Sequence, residues 1–349
     1  MPFARPRRVT LREVAVRAGV SPTTASFVLA GREDMRISEE ARMRVRQAAS
    51  DLDYRPNLTA RSLRTKVTRT FALVSDTITT RQYGGGMIRG ALTAALEEEH
   101  LLFVTETDGD PRTEERLVED LLGRQVDGFL YASMFTRQVT LPASLQGHPV
   151  VLLNCTTGDA ALPTVLPDER AGGRAAAQAV LDRGHRDGIV IAGETPPGVY
   201  AARERLAGIE EALAEAGTQA DAMLDCSWWP EAGYDAVAHT LARGRVPRAL
   251  ICLNDRIAFG AYQALQEAGV AIPAEVSVVS FDDSDLAGWL RPGLTSVALP
   301  HYELGRRAVR VLLASESGHG IEAVPMPLHE RESVAAPRPA ARTEQRDRA

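Results

Sequence analysis

Apolar positions along this chain change their period once, near residue 66. Before that point they recur at helical spacing in three short groups: Val14, Ala15, Ala18 and Val20; Ala25, Val28 and Leu29; then Ala41, Val45, Ala48 and Leu52. Thr10 and Glu13 form the pattern in which a hydroxyl and a carboxylate each satisfy a free amide of the first turn, so a helix opens there. Gly19 ends it, and Ser21-Pro22 opens a second helix with a cap residue followed by proline at the first helical position. A third is expected from about Ser38 to Leu52. Two short helices joined by a tight glycine turn predict a helix-turn-helix. Pro56 stops the third helix, and the segment from Asn57 to Arg64 is too short to be stably helical alone.

Beyond Lys66 short apolar runs alternate with amphipathic stretches. TFALVSD, LLFVTETD, DGFLYAS and PVVLLNC read as buried strands, with GGGMIRGALTAALEEEH and TEERLVEDLLGRQ as helices between them. A second series begins near Asp168, with strands GIVIAG, AMLDCS, ALICLN and VSVVSFDD and helices before and between them. Such alternation predicts parallel sheets built from βαβ units, and two series predict two sheets with a cleft between them. Ligands of such sheets bind beyond the carboxyl ends of the strands. The polar tail APRPAARTEQRDRA is expected to be disordered.

A chain of 349 residues is too long for one compact core. Its net charge of −6 argues against nucleic acid only until it is divided. Residues 1–66 hold 14 Lys/Arg against 7 Asp/Glu, a balance of +7, and the remainder holds 26 against 39, a balance of −13. A basic head on an acidic body is the footprint expected when only the head meets phosphate. Cys155, Cys226 and Cys252 have neither disulfide nor metal spacing, which suggests buried thiols in a reducing cytoplasm. No apolar run approaches a membrane span, and the basic N-terminus has no apolar stretch behind it, so neither a membrane nor a secretory signal is expected. The seven histidines show no nucleophile partner or metal spacing, and no hydrolase or metalloprotease motif occurs; no enzyme, metal or cofactor is expected.

The run from Val9 to Ser26 (V-T-L-R-E-V-A-x-x-A-G-V-S-x-x-T-x-S), followed by L-D-Y-R-P-N-x-x-A-R-S-L, resembles the lac-repressor-like (LacI/GalR) transcription regulators. The match is dense over about the first 66 residues and continues more loosely to about residue 335. It implies an all-α helix-turn-helix head and hinge helix, then a periplasmic-binding-protein-like α/β core of two parallel-sheet subdomains. The corresponding boundaries are 1–55 for the head, 56–67 for the hinge and linker, 68–166 with 299–323 for one subdomain, 167–298 with 324–336 for the other, and 337–349 for the tail. The tetramer-forming zipper of some relatives needs apolar heptads that are missing here, so a homodimer is expected.

By the same resemblance the second helix enters the major groove of an inverted-repeat operator. Pro22, Thr23 and Phe27 occupy the base-discriminating positions, and Ser21, Thr24 and Ser26 the phosphate-contacting ones. Thr10 and Leu11, at the opening of the first helix, join the DNA-contacting set. Phe27 departs from the family, where a polar residue or arginine is common; a phenyl ring offers only apolar contact, for instance to a thymine methyl, unless it completes the head's core. In the hinge Leu63 stands where a leucine wedge kinks the duplex, Asn57 and Arg61 where backbone or groove is touched, and Ala60 where two hinges pair closely.

In the core the equivalents of Asn154, Arg205, Asn254 and Asp282 contact a small effector, and Trp228 or Trp229 supplies an aromatic face for a sugar ring. Helix capping and interdomain ion pairing are the structural alternatives for these residues. The family's Asn-Pro-aromatic segment is replaced by TITTRQYGGG, leaving Tyr83 as the only large side chain there and three glycines where a helix should begin. Those glycines could expose amides to an anion, and Leu299 also departs from a polar family position, so a sugar, a nucleoside or an anionic ligand all stay open. A cytoplasmic repressor controlled by a sugar-like effector is the reading these features favour. A solute-binding protein of sugar transport shares the core but has no use for the head.

Overall fold

In the computed structural model the structure describes residues 9–32, 34–55, 67–79, 84–158, 161–314 and 320–337. Tyr83, the hinge residues Asn57, Ala60, Arg61 and Leu63, and most of the tail lie outside them. The chain divides into two compact units, residues 1–68 and 69–349.

Among the described residues the first unit holds three helices: α1 (Leu11–Ala18), α2 (Pro22–Leu29) and α3 (Glu39–Asp51). The capping box forms as its spacing requires, with the Thr10 amide donating to Glu13 Oε2 at 2.7 Å and the Glu13 amide donating to Thr10 Oγ1 at 3.3 Å. Gly19 ends α1 in the left-handed region at φ 67°, where its missing Cβ removes the usual penalty. Val14, Ala15, Ala18, Ala25, Val28, Val45 and Ala48 form the core between the helices. Arg44 ties α3 to α1, donating from Nε to the Ala18 carbonyl at 3.1 Å.

The second unit holds two six-stranded sheets. The first comprises β1 (Thr70–Ser75), β2 (Leu101–Glu106), β3 (Gly128–Gln138), β4 (Val150–Thr156), β5 (Thr164–Pro167) and β11 (Ile321–Val324) in the order β11-β5-β4-β3-β1-β2, parallel throughout. The second comprises β6 (Ile189–Ala192), β7 (Ala222–Leu224), β8 (Ala249–Cys252), β9 (Ser277–Asp282), β10 (Thr295–Ala298) and β12 (Leu328–His329) in the order β12-β10-β9-β8-β6-β7. Among the described strands of this sheet, only β12 runs antiparallel to its neighbour. In each sheet the chain moves outward by one strand and then crosses back, which creates switch points between β1 and β3 and between β6 and β8. In parallel sheets such points are where ligands bind. Among the described residues no helix is long and apolar enough to cross a membrane.

Three helix pairs pack with glycine on both sides. They are α4 (Gly84–Glu97) with α11 (His301–Ala314), α6 (Glu169–Leu181) with α7 (Tyr200–Glu215), and α8 (Pro230–Ala242) with α9 (Asp255–Glu267). A Cβ on Gly90 would collide with the Tyr302 carbonyl, and one on Gly305 with that of Met87. Gly173 and Gly208 stand equally close to the carbonyls of Arg205 and Arg170. This also accounts for the 84–86 run. Gly84 abuts the Ile78 carbonyl in the turn after β1 and Gly86 the Cβ of His301 on α11, so both glycines serve close packing, and only Gly85 has open space beside it.

Candidate functional site

In the head, the Ser21 cap and the α2 residues Pro22 and Thr23 are exposed, with Thr24, Ser26 and Phe27 partly so. Ser21 caps the helix, accepting from the Thr24 amide at 3.0 Å and sharing a 2.8 Å hydrogen bond with the Thr24 hydroxyl. Leu11 packs against the core from its edge. Phe27 is not part of that core cluster. Its ring lies under the Arg32 guanidinium, 5.6 Å from centroid to Cζ, and Arg32 is in turn held by Asp34 through two hydrogen bonds of 2.7 and 2.5 Å. The arrangement places an apolar ring and a cation together beside the exposed helix face, and nothing in the periodicity pointed to Arg32.

In the second unit the chemistry gathers at the carboxyl ends of the strands. Arg205, on the second turn of α7, is buried. Its Nε and Nη2 donate to Glu169 at 2.6 and 3.2 Å, its Nη1 donates to the Leu253 carbonyl at 2.6 Å, and Asp282 Oδ1 lies 3.6 Å from Nη1. The rings of Phe281 and Trp228 lie 4.7 and 5.4 Å from the guanidinium carbon, so the cation is also held between two π faces. Burial pushes the Asp282 carboxyl up to about 7, with Asp255 and Glu169 adding to the rise and Arg205 and Arg256 opposing it. Asp282 has φ 101°, a conformation that costs a non-glycine residue about 1–3 kcal/mol and recurs where function demands a set geometry.

The other expected residues divide by role. Trp228 is half-buried, donates its indole N–H to the Glu194 carbonyl at 3.0 Å and faces Arg205. Trp229 is 49% exposed and carries Arg256 over its ring instead. Asn254 acts as the cap of α9, accepting from the Ile257 amide at 2.8 Å, and its amide donates to the Trp228 carbonyl at 3.3 Å. Asn154 is buried, and its side chain is engaged by Thr136, Ser133 and Met134 of β3.

Several further residues surround these. Glu169, the partner of Arg205, stands 36 positions away in sequence, in the first turn of α6. Asp255, fully buried, accepts from the hydroxyls of Ser280, Ser284 and Ser296 and from the Ser284 amide, which braces α9 against β9 and β10. His301 opens α11; burial, aided by the charge of Arg205, pushes it down to about 4, so it is neutral near pH 7. Asp76, just past β1, is held below the usual carboxylate range because hydrogen bonds from Ser133, Arg137, Met134 and Thr77 outweigh its burial. Among the described residues no group of side chains could hold a metal ion.

Residues 10–57 match the family described as bacterial regulatory proteins, lacI family, and residues 82–329 match periplasmic binding proteins and the sugar binding domain of the LacI family. The chain is 32% identical over 313 residues to the ribose operon repressor of Haemophilus influenzae, covering 87% of this chain and 91% of that protein. It is 33% identical over 302 residues to the HTH-type transcriptional regulator AscG of Escherichia coli, covering 84% and 88%. Among solved structures, the lac repressor dimer bound to operator and the anti-inducer ONPF aligns with a TM-score of 0.77 at 24% identity, covering 95% of this chain and all of that one. The transcriptional regulator CelR–cellobiose complex aligns at 0.65 with 28% identity, covering 93% and 100%. The chain therefore belongs to the lacI family of bacterial regulatory proteins and is a DNA-binding transcriptional regulator with an effector-binding core.

Proposed function

We propose that the protein is a cytoplasmic homodimeric repressor that reads an inverted-repeat operator and changes its DNA affinity when an uncharged polyhydroxylated ligand, a sugar or sugar derivative, occupies the cleft. The observation that carries the ligand class is the charge balance around Arg205. Its one positive charge is already met by the buried carboxylate of Glu169, so a phosphate or carboxylate brought to it would meet that negative charge, with the Asp282 carboxyl also at hand. Hydroxyls, which donate to carboxylates and accept from a guanidinium, fit the same groups without that repulsion. Trp228 adds an apolar wall. In the head, Pro22, Thr23 and Phe27 discriminate bases, while Thr10, Leu11, Ser21, Thr24 and Ser26 hold register on the backbone. Asn57, Ala60, Arg61 and Leu63 act at the minor groove as a hinge whose pairing depends on the state of the core.

The test is to incubate the full chain with sheared genomic DNA at near-physiological salt, where non-specific phosphate binding is weak, and to sequence what is retained. An enriched inverted repeat, released or strengthened by a sugar, is the expected result. Absence of enrichment both with and without added cell metabolites would overturn the reading.

A further inference from the structure

Strand β3 extends beyond the point where β4 can follow it. Residues 129–132 pair in step with residues 150–153, and pairing resumes only with Arg137 opposite Cys155. Four residues, Ser133 to Thr136, therefore stand opposite Asn154 alone and form a bulge at the carboxyl end of the sheet. The bulge is clamped from both sides. From just past β1, Asp76 accepts from the Ser133 hydroxyl at 2.7 Å, the Met134 amide at 3.0 Å and the Arg137 guanidinium at 3.0 Å. From β4, Asn154 donates to the carbonyls of Ser133 and Met134 at 3.0 and 3.1 Å and accepts from the Thr136 hydroxyl at 2.7 Å. Ser133, Met134 and Thr136 are buried by this arrangement, and only Phe135 is put out to solvent, at 50% exposure.

The location gives the exposed ring a meaning. The bulge lies at the β1–β3 switch point, where parallel sheets leave room for ligands. Just past it, Arg137 makes an antiparallel bridge to Val199, and the Gln138 amide donates to the Gly198 carbonyl at 3.3 Å. Gly198 and Val199 lead directly into α7, which carries Arg205. The first sheet's clamped bulge and the second sheet's buried cation are thus joined by a short run of backbone. Two polar side chains and a broken ladder are committed to holding one aromatic residue against water, which stability alone would not favour.

We propose that Phe135 is the aromatic platform of the effector cleft on the first sheet's side, stacking on the C–H face of a sugar ring whose hydroxyls meet the Arg205 cluster. The inference rests on the reading of the core as a binder of uncharged sugars. Asp76 and Asn154 are then positioning residues that act on the ligand through the bulge.

The test is equilibrium dialysis of the full chain, Phe135→Ala and Phe135→Tyr against a mixture of unphosphorylated pentoses, hexoses and disaccharides, with retained sugars identified by mass spectrometry. The expected result is one sugar retained by the parent chain, about ten-fold weaker by Phe135→Ala and near the parent level by Phe135→Tyr. Equal retention by Phe135→Ala would overturn the platform while leaving the sugar reading intact. No sugar retained by the parent chain would overturn both. Should Phe135→Ala not fold, Phe135→Leu, which keeps an apolar group without a ring face, is judged by the same ten-fold criterion.

Discussion

Arg205 and Glu169 meet through two hydrogen bonds, with both side chains almost wholly closed to water. They come from facing turns of α7 and α6, helices brought close by Gly173 and Gly208. On the proposed reading, the pair sets the charge of the effector site.

Removing one member should therefore cost stability as well as binding. Glu169→Ala leaves a buried guanidinium with Asp282 alone, and breaking a buried pair costs about 3–5 kcal/mol. Urea unfolding of the full chain measures it; a loss below about 1 kcal/mol would contradict the role assigned to the pair. For the same reason Arg205→Ala is a poor probe of ligand contact, since Glu169 would be stranded.

Asp282 should write a pH signature into stability. Its carboxyl is raised to about 7 in the folded chain, chiefly by burial, against about 3.9 when unfolded. The folded state thus holds its proton more tightly, and the stabilisation is full below about pH 4 and lost as pH rises through about 7. Asp282→Asn should flatten that part of the profile relative to the parent. Parallel profiles of melting temperature across the window would show that the carboxyl is not raised.

Two glycines of α4, Gly85 and Gly90, should respond oppositely to alanine. At Gly90 the added Cβ collides with the Tyr302 carbonyl, so α4 and α11 must separate, at about 1–3 kcal/mol or more. At Gly85 nothing lies within 4 Å, and the better helix propensity of alanine should give a gain of up to about 1 kcal/mol. Thermal unfolding of the two variants compares them directly, and equal effects would refute the packing role.

The sequence by itself determined the local structure. Caps at Thr10, Ser21 and Ser38, the αL turn at Gly19 and the alternation of apolar runs each depend on a few adjacent residues, so the head and the two-sheet core were legible. The longer course of β3 was not, because MFTRQ lacks the strand pattern and holds its shape through Asp76 and Asn154. Nor were the short strands β5, β10, β11 and β12, which are specified by their neighbours in the sheet. Tertiary structure alone decided the partners: Glu169 for Arg205, the serines for Asp255, Arg32 for Phe27, and Trp228 rather than Trp229 against the buried cation. Capping and periodicity are read from nearest neighbours along the chain, whereas charge pairing in a cleft depends on groups that meet only once the sheets have folded.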